Sequence, residues 1–101
     1  MLDYINKQKE IIRTMETKED IALDLYKEYI SSCPIVQLKK EFKTELFLLS
    51  IKNNSMLIFS YLLNDINSQL ILNKAKNMAQ KFERWEFLAI LEEKSTGHNP
   101  S

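Results

Sequence analysis

Glycine and proline are scarce in this chain. Gly97 is the one glycine of 101 residues, and Pro34 and Pro100 are the two prolines. Tight β-hairpin turns lean on glycine at positive φ and on the preset φ of proline, so the shortage argues against an all-β fold. Helices joined by short polar turns have no such need. Cysteine is as rare: Cys33 stands alone, which rules out an intrachain disulfide and a secreted disulfide scaffold. The stretch from Met1 to Lys7 holds no apolar run of the secretory kind, so a reducing, cytoplasmic setting is expected. A charge excess is missing too. Lys and Arg together number 14, as do Asp and Glu, whereas general polyanion binders carry a basic surplus. Nucleic acid is therefore not the expected partner. The most apolar stretch, Leu46 to Leu63, is cut by Lys52, Asn53, Asn54 and Ser55, so no membrane span is expected. The sequon Asn53-Asn54-Ser55 has no secretory context and reads as chance in an Asn-rich chain.

Apolar residues at helical spacing fill the rest of the chain. The pattern predicts six helices. The first runs from Leu2 to Met15 with Ile5, Ile12 and Met15 inward. Thr17 then resembles an N-cap, with Asp20 as its capping-box partner. The second helix covers Lys18 to Ser31, with Ile21, Leu25 and Tyr29 at i, i+4, i+8 and Ala22, Tyr26 and Ile30 beside them. Pro34 suits the first turn of the third helix, which reaches Lys52 on a stripe of Ile35, Leu38, Phe42, Leu46 and Leu49. Asn54 or Ser55 can cap a short apolar fourth helix, Met56 to Asn64. Ser68 can cap a fifth, Gln69 to Lys81, with Leu70 or Ile71, Ala75, Met78 and Ala79 inward. A break near Phe82 and Glu83 leads to the sixth, Arg84 to Lys94, whose inner face is Trp85, Leu88 and Leu91 with Phe87 and Ile90 alongside. Residues 1–94 thus form one helical domain, and 95–101 a flexible tail.

The alternation of long helix, tight turn and short helix occurs three times, which calls for a search for repeats. Leu49 to Leu63 and Met78 to Glu92 align at an offset of 29 residues. Apolar residues coincide at Met56/Trp85, Ile58/Phe87, Phe59/Leu88 and Leu62/Leu91, and a small residue follows the first apolar one, Ser50 or Ala79. Over about residues 45–93 this layout resembles the helix–turn–helix core of an ankyrin repeat. Leu49-Ser50-Ile51 takes the leucine and small positions, Asn54-Ser55 the Gly-His turn, Ile58-Phe59 the Ile-Val pair and Tyr61-Leu62-Leu63 the leucine run. A small residue lets paired helices approach, and Asn adopts a left-handed turn nearly as well as Gly. The Thr-Pro-Leu-His opening is absent, and the family's period is about 33 residues. The expected fold is all-α: six helices as three antiparallel hairpins, arranged as an ankyrin-like solenoid stack or as an irregular bundle.

Catalytic chemistry finds no footing. His98 is the only histidine and falls in the tail, and one His with one Cys makes neither a dyad nor a zinc site. Cys33, before a proline near a helix start, reads as a small turn residue in preference to an activated thiolate. One glycine cannot build a phosphate loop. The carboxylate pairs Glu19-Asp20 and Glu92-Glu93 read as solvated helix ends. No enzyme, cofactor or metal is expected.

Binding is expected instead. Lys39, Lys40 and Lys43 cluster on the polar side of the third helix; Lys74, Lys76, Lys81 and Arg84 form a second group. Solubility explains both, and an acidic or phosphate-bearing partner is the functional alternative. Phe82, Trp85 and Phe87 cannot all point one way on a helix: with Trp85 and Phe87 toward the core, Phe82 at the break is exposed, or the reverse, and an exposed aromatic beside a turn can anchor a partner. The ankyrin resemblance implies a partner groove lined by the first-helix face and the turn holding Asn64, Asp65 and Asn67. The expected function is a module that binds and blocks another protein, on the pattern of a small inhibitor or immunity-type protein of a phage or mobile element, a source that the lysine-rich, asparagine-rich composition suits. The alternatives are a self-associating structural subunit, whose apolar face would come from Leu46 to Leu63, and a nucleic-acid binder using the lysines.

Overall fold

A computed structural model describes residues 2–96. These residues form six α-helices: α1 (Leu2–Met15), α2 (Glu19–Ser32), α3 (Val36–Lys52), α4 (Met56–Leu63), α5 (Gln69–Lys81) and α6 (Trp85–Thr96). The breaks lie where the sequence places them, with local adjustments. Cys33 is extended (φ −83°, ψ 120°), as the residue before a proline tends to be, and this ends α2. Ile35 is extended as well, so α3 starts at Val36, two residues after Pro34. The last helix continues through Ser95 and Thr96. His98 lies outside the described residues.

The helices pair in sequence as three hairpins, α1/α2, α3/α4 and α5/α6. The middle hairpin stands between the others: α3 packs against both α1 and α5, and α4 against α2. First helices thus form one layer and second helices another. The shortest dimension of the molecule, 19 Å, is that of two helix layers at 8–10 Å spacing, and the longest is 45 Å.

Two of the three turns are built alike. Asn54 and Glu83 are the two non-glycine residues at positive φ among those described, 58° and 57°. The Ser55 N–H donates to the Ser50 carbonyl (2.8 Å) and Asn54 N–H to Ile51 (3.2 Å). At an offset of 29 residues, Arg84 N–H donates to Ala79 (2.7 Å) and Glu83 N–H to Gln80 (3.2 Å). This 6→1 and 5→2 pairing is the Schellman motif, which satisfies the last carbonyls of a helix through a left-handed residue. Ser50 and Ala79, the small residues of the repeat, are fully buried beneath these turns. The first turn differs. Thr17 and Lys18 N–H groups both donate to the Thr14 carbonyl, and neither residue has a positive φ. Thr17 does not cap α2. Its hydroxyl turns back to the Thr14 carbonyl, and the N-cap is Lys18 without a side-chain bond.

Capping instead crosses between hairpins. Ser68 caps α5 as expected. The buried Ser55 makes no cap bond; Glu19 of α2 reaches over and accepts from the Leu57 N–H at the start of α4 (3.0 Å). Arg84 donates to the carbonyls of Ile51 (3.0 Å) and Lys52 (2.8 Å) at the end of α3, and Lys94 to that of Leu63 at the end of α4 (2.8 Å). Each bond ties one hairpin to the next through an otherwise orphaned helix terminus.

The core is aromatic along both seams. Tyr29 and Tyr26 meet Phe42 at 5.2 and 6.1 Å between ring centroids, and Tyr26 meets Tyr61 at 6.4 Å. Phe59 stacks on Phe47 at 5.3 Å and meets Phe87 edge-on at 4.6 Å. Several inward stripes fall one position away from expectation. Ile11 is buried in α1 and Ile5 and Ile12 only partly; Leu23 is buried in α2 while Ile21 is exposed; Leu72 is buried in α5 while Leu70 is exposed. In α6, Phe87 and Leu91 fill the core, and Trp85, expected inward, is 58% exposed.

Candidate partner-binding site

Lys39, Lys40 and Lys43 follow Val36 at i+3, i+4 and i+7, so the four share one side of α3. Glu41 and Glu45 take the opposite side, with Leu38 and Phe42, toward Gln8 of α1. The helix is therefore split lengthwise by sign. Its basic side borders a depression of about 200 Å³ lined by Tyr26 and Ile30 from α2, Val36 and the three lysines from α3, and Asp65 from the α4–α5 connection. Val36 is 60% exposed. Ile66 holds that connection in place: it is buried, and both Asp65 and Ile66 bond back to the end of α4 through Leu62 and Leu63 carbonyls.

Two groups of residues that are far apart in sequence thus share one site. Asp65 lines the depression, whereas Asn64 and Asn67 are exposed on the same connection without lining it. Tyr26, Ile30 and Val36 complete the site and were not singled out by sequence; Val36 carried the one available signal, its helical register with the lysines. Tyr26 is buried, and that burial, more than the neighbouring Tyr61 and Asp65, pushes its pKa well above the usual 10. The ring therefore stays neutral at physiological pH.

The aromatic anchor lies elsewhere. Trp85 opens α6 beside a second depression, of about 330 Å³, that Asn54, Glu83, Arg84, Glu86 and Phe87 complete. Residues two apart on a helix point to different sides, so burying Phe87 turns Trp85 out. Phe82 is half-buried, with the Lys81 ammonium 5.6 Å from its ring centroid, and does not line this patch. Of the second basic group, Arg84 is engaged by the α3 carbonyls and Lys81 by Phe82.

Cys33 is buried at the end of α2, with its Sγ 3.9 Å from the Ile35 carbonyl oxygen. Among the described residues no three His, Cys, Asp or Glu side chains stand together as metal ligands, and no helix is long and apolar enough to cross a membrane. Comparison with protein-family models, curated proteins and solved structures gives no match.

Proposed function

We propose that this chain is a non-enzymatic protein-interaction module, an ankyrin-like stack of three hairpins that docks a partner protein in the depression between α2, α3 and the α4–α5 connection. The observation that carries this is the meeting of Lys39, Lys40, Lys43 and Asp65 around Tyr26, Ile30 and Val36. An apolar floor inside a charged rim is the anatomy of a protein interface. The depression holds about 200 Å³, below the ~300–1,000 Å³ of metabolite pockets, so it suits one or two side chains of a macromolecule. Three lysines against one carboxylate select an acidic surface. First-helix faces and inter-hairpin connections are also where an ankyrin-like array would meet its partner. A module of this size that covers an acidic surface acts by blocking it, as an inhibitor or immunity-type protein does.

The test is affinity capture from lysate of the source cell or host, comparing the native protein with a Lys39→Glu/Lys40→Glu/Lys43→Glu variant, with bound proteins identified by mass spectrometry. One stoichiometric protein is expected on the native chain and none on the variant. Equal capture by both would overturn the site.

A further inference from the structure

The two depressions are complementary to each other. One presents an exposed indole flanked by Glu83 and Glu86; the other presents an apolar floor flanked by Lys39, Lys40 and Lys43. Arg84 also borders the first, its guanidinium held by the Ile51 and Lys52 carbonyls, so two carboxylates stand there against one cation, whereas three ammonium groups stand against Asp65 in the second. The patches also lie toward opposite edges of the molecule. Trp85 follows the α5–α6 turn, at the edge where α3 ends; Val36 begins α3, at the edge of the inter-hairpin connections. One chain cannot bring them together. A second copy can.

We infer that the Trp85–Glu83–Glu86 patch of one copy docks in the Lys39–Lys40–Lys43 depression of another, giving head-to-tail self-association. Trp85 supplies the apolar anchor: it combines a large buried area with few rotatable bonds, as interface hot spots do. Ile30, Val36 and the Tyr26 ring receive it, and the carboxylates meet the ammonium groups at the rim, where they set orientation and salt dependence. A contact between two different patches leaves one of each free at the ends, so it continues into a chain of copies instead of stopping at a symmetric pair. The inference rests on the depression being a docking surface. Self-association also covers the surface proposed for the partner, so the assembled form is the unavailable one.

Trp85 is the sole tryptophan, so its fluorescence reads this contact directly. With rising protein concentration the emission should shift to shorter wavelength and the sedimentation coefficient should increase, and high salt should reverse both. Trp85→Ala keeps the depression and loses the anchor; Lys39→Glu/Lys40→Glu/Lys43→Glu keeps the anchor and loses the depression. All these positions are at least partly exposed, and circular dichroism checks that both variants fold. Each variant alone should remain monomeric. Mixed, they should form a one-to-one complex and nothing larger, since only one productive contact remains. A native chain that stays monomeric at millimolar concentration, or a mixture that gives no complex, overturns the inference. If the native chain stays monomeric while the lysine variant still loses its captured partner, self-association fails and the proposed function stands. Self-association with unchanged partner capture is the reverse.

Discussion

The two seams of the stack solve the same packing problem with different chemistry. Between the second and third hairpins Phe59 meets Phe87 edge-on, with Phe47 stacked on Phe59 from within its own hairpin, and each of these two hairpins closes in a Schellman turn with Ser50 or Ala79 at its base. Between the first and second it is largely tyrosine: Tyr26 and Tyr29 against Phe42, with Tyr61 behind and Gln8 donating to the Tyr29 hydroxyl at 2.7 Å. A tight turn over a small residue lets two helices close on each other, and apolar rings then suffice. The first turn has no left-handed residue and leaves Arg13 exposed and Thr14 partly so; the tyrosines lie further along α2, where their rings reach α3 and α4. The two hairpins with left-handed turns thus meet through apolar rings, and the seam to the hairpin without one is largely tyrosine.

The sharpest way to break that comparison is to enlarge the small residues. Ser50→Leu or Ala79→Leu inserts a branched side chain where no space exists, and overpacking of this kind destabilises by about 1–3 kcal/mol. Thr14→Leu, the nearest equivalent under the first turn, should change stability by less than about 0.5 kcal/mol, as surface substitutions do. Urea unfolding of the three variants measures the difference. Equal effects at Ser50 and Thr14 would mean that the turns are not built differently in any energetic sense.

The ties between hairpins come next. Arg84→Met removes two charged hydrogen bonds to the end of α3 while keeping the aliphatic stem, with an expected loss of about 1–2 kcal/mol because the released carbonyls are partly reached by water. For a domain of this size that is roughly 4–8 °C of Tm per kcal/mol. Glu19→Gln, which weakens the tie between the first and second hairpins, concerns a single exposed bond and should lower Tm by less. Calorimetry that ranked Glu19 above Arg84 would reverse the order of strength assigned to the two seams.

Alkali separates the seams by chemistry. Burial raises the pKa of Tyr26 above the usual 10, and Tyr29 is raised by burial too, against the lowering effect of its Gln8 bond. The unfolded chain therefore releases protons from these rings at lower pH than the folded one. Folded Tyr26 and Tyr29 hold their protons above about pH 10, where the unfolded chain releases them, so their contribution to stability is fully present below that pH and is lost as pH rises beyond it. Tyr26→Phe should flatten that fall while costing little at neutral pH, whereas Phe59→Leu should lower stability at every pH without changing the slope. Denaturant midpoints from pH 8 to 11 would show it; an unchanged slope in Tyr26→Phe assigns the alkaline effect to other groups.

Much of the fold is legible in the sequence because the breaks are local. Pro34, Asn53-Asn54-Ser55, Ser68 and Phe82-Glu83 each interrupt an apolar period, and each marks a helix end. The 29-residue repeat reappears in the turn hydrogen bonds themselves. The misplaced stripes have one cause. In α2 and α5 apolar residues stand on adjacent positions, Ile21 with Ala22 and Leu23, and Leu70 with Ile71 and Leu72, so periodicity alone fixes the inner face only to within one residue. Two expected caps are not made: Thr17 turns back to the Thr14 carbonyl, and at α4 the carboxylate of Glu19, from another hairpin, accepts the N–H in place of Ser55. The candidate site depends on tertiary packing entirely: nothing local brings Asp65 to Lys39, and only the burial of Ile66 and Phe87 decides that Asp65 meets the lysines and Trp85 faces outward.

The smallest effect tests the repeat at its weakest residue. Asn54 and Glu83 occupy the same left-handed position, and the two side chains suit it unequally. Asn tolerates that region through its short polar side chain, whereas Glu has no such compensation and glycine has no penalty. Glu83→Gly should therefore relieve backbone strain, offset in part by the greater entropy that glycine gives the unfolded chain, for a net gain of about 0.5 kcal/mol. Asn54→Gly should be nearly neutral, since less strain is relieved against the same entropy. Thr17→Gly, at a turn without a positive φ, should gain nothing and lose by the entropy alone. A stabilised Glu83→Gly beside a neutral Asn54→Gly and a weakened Thr17→Gly, read from urea midpoints at constant slope, would separate two turns that share one geometry from a third that does not. If Glu83→Gly instead weakened the fold, the side chain of Glu83 would be contributing more to the folded state than its backbone takes away.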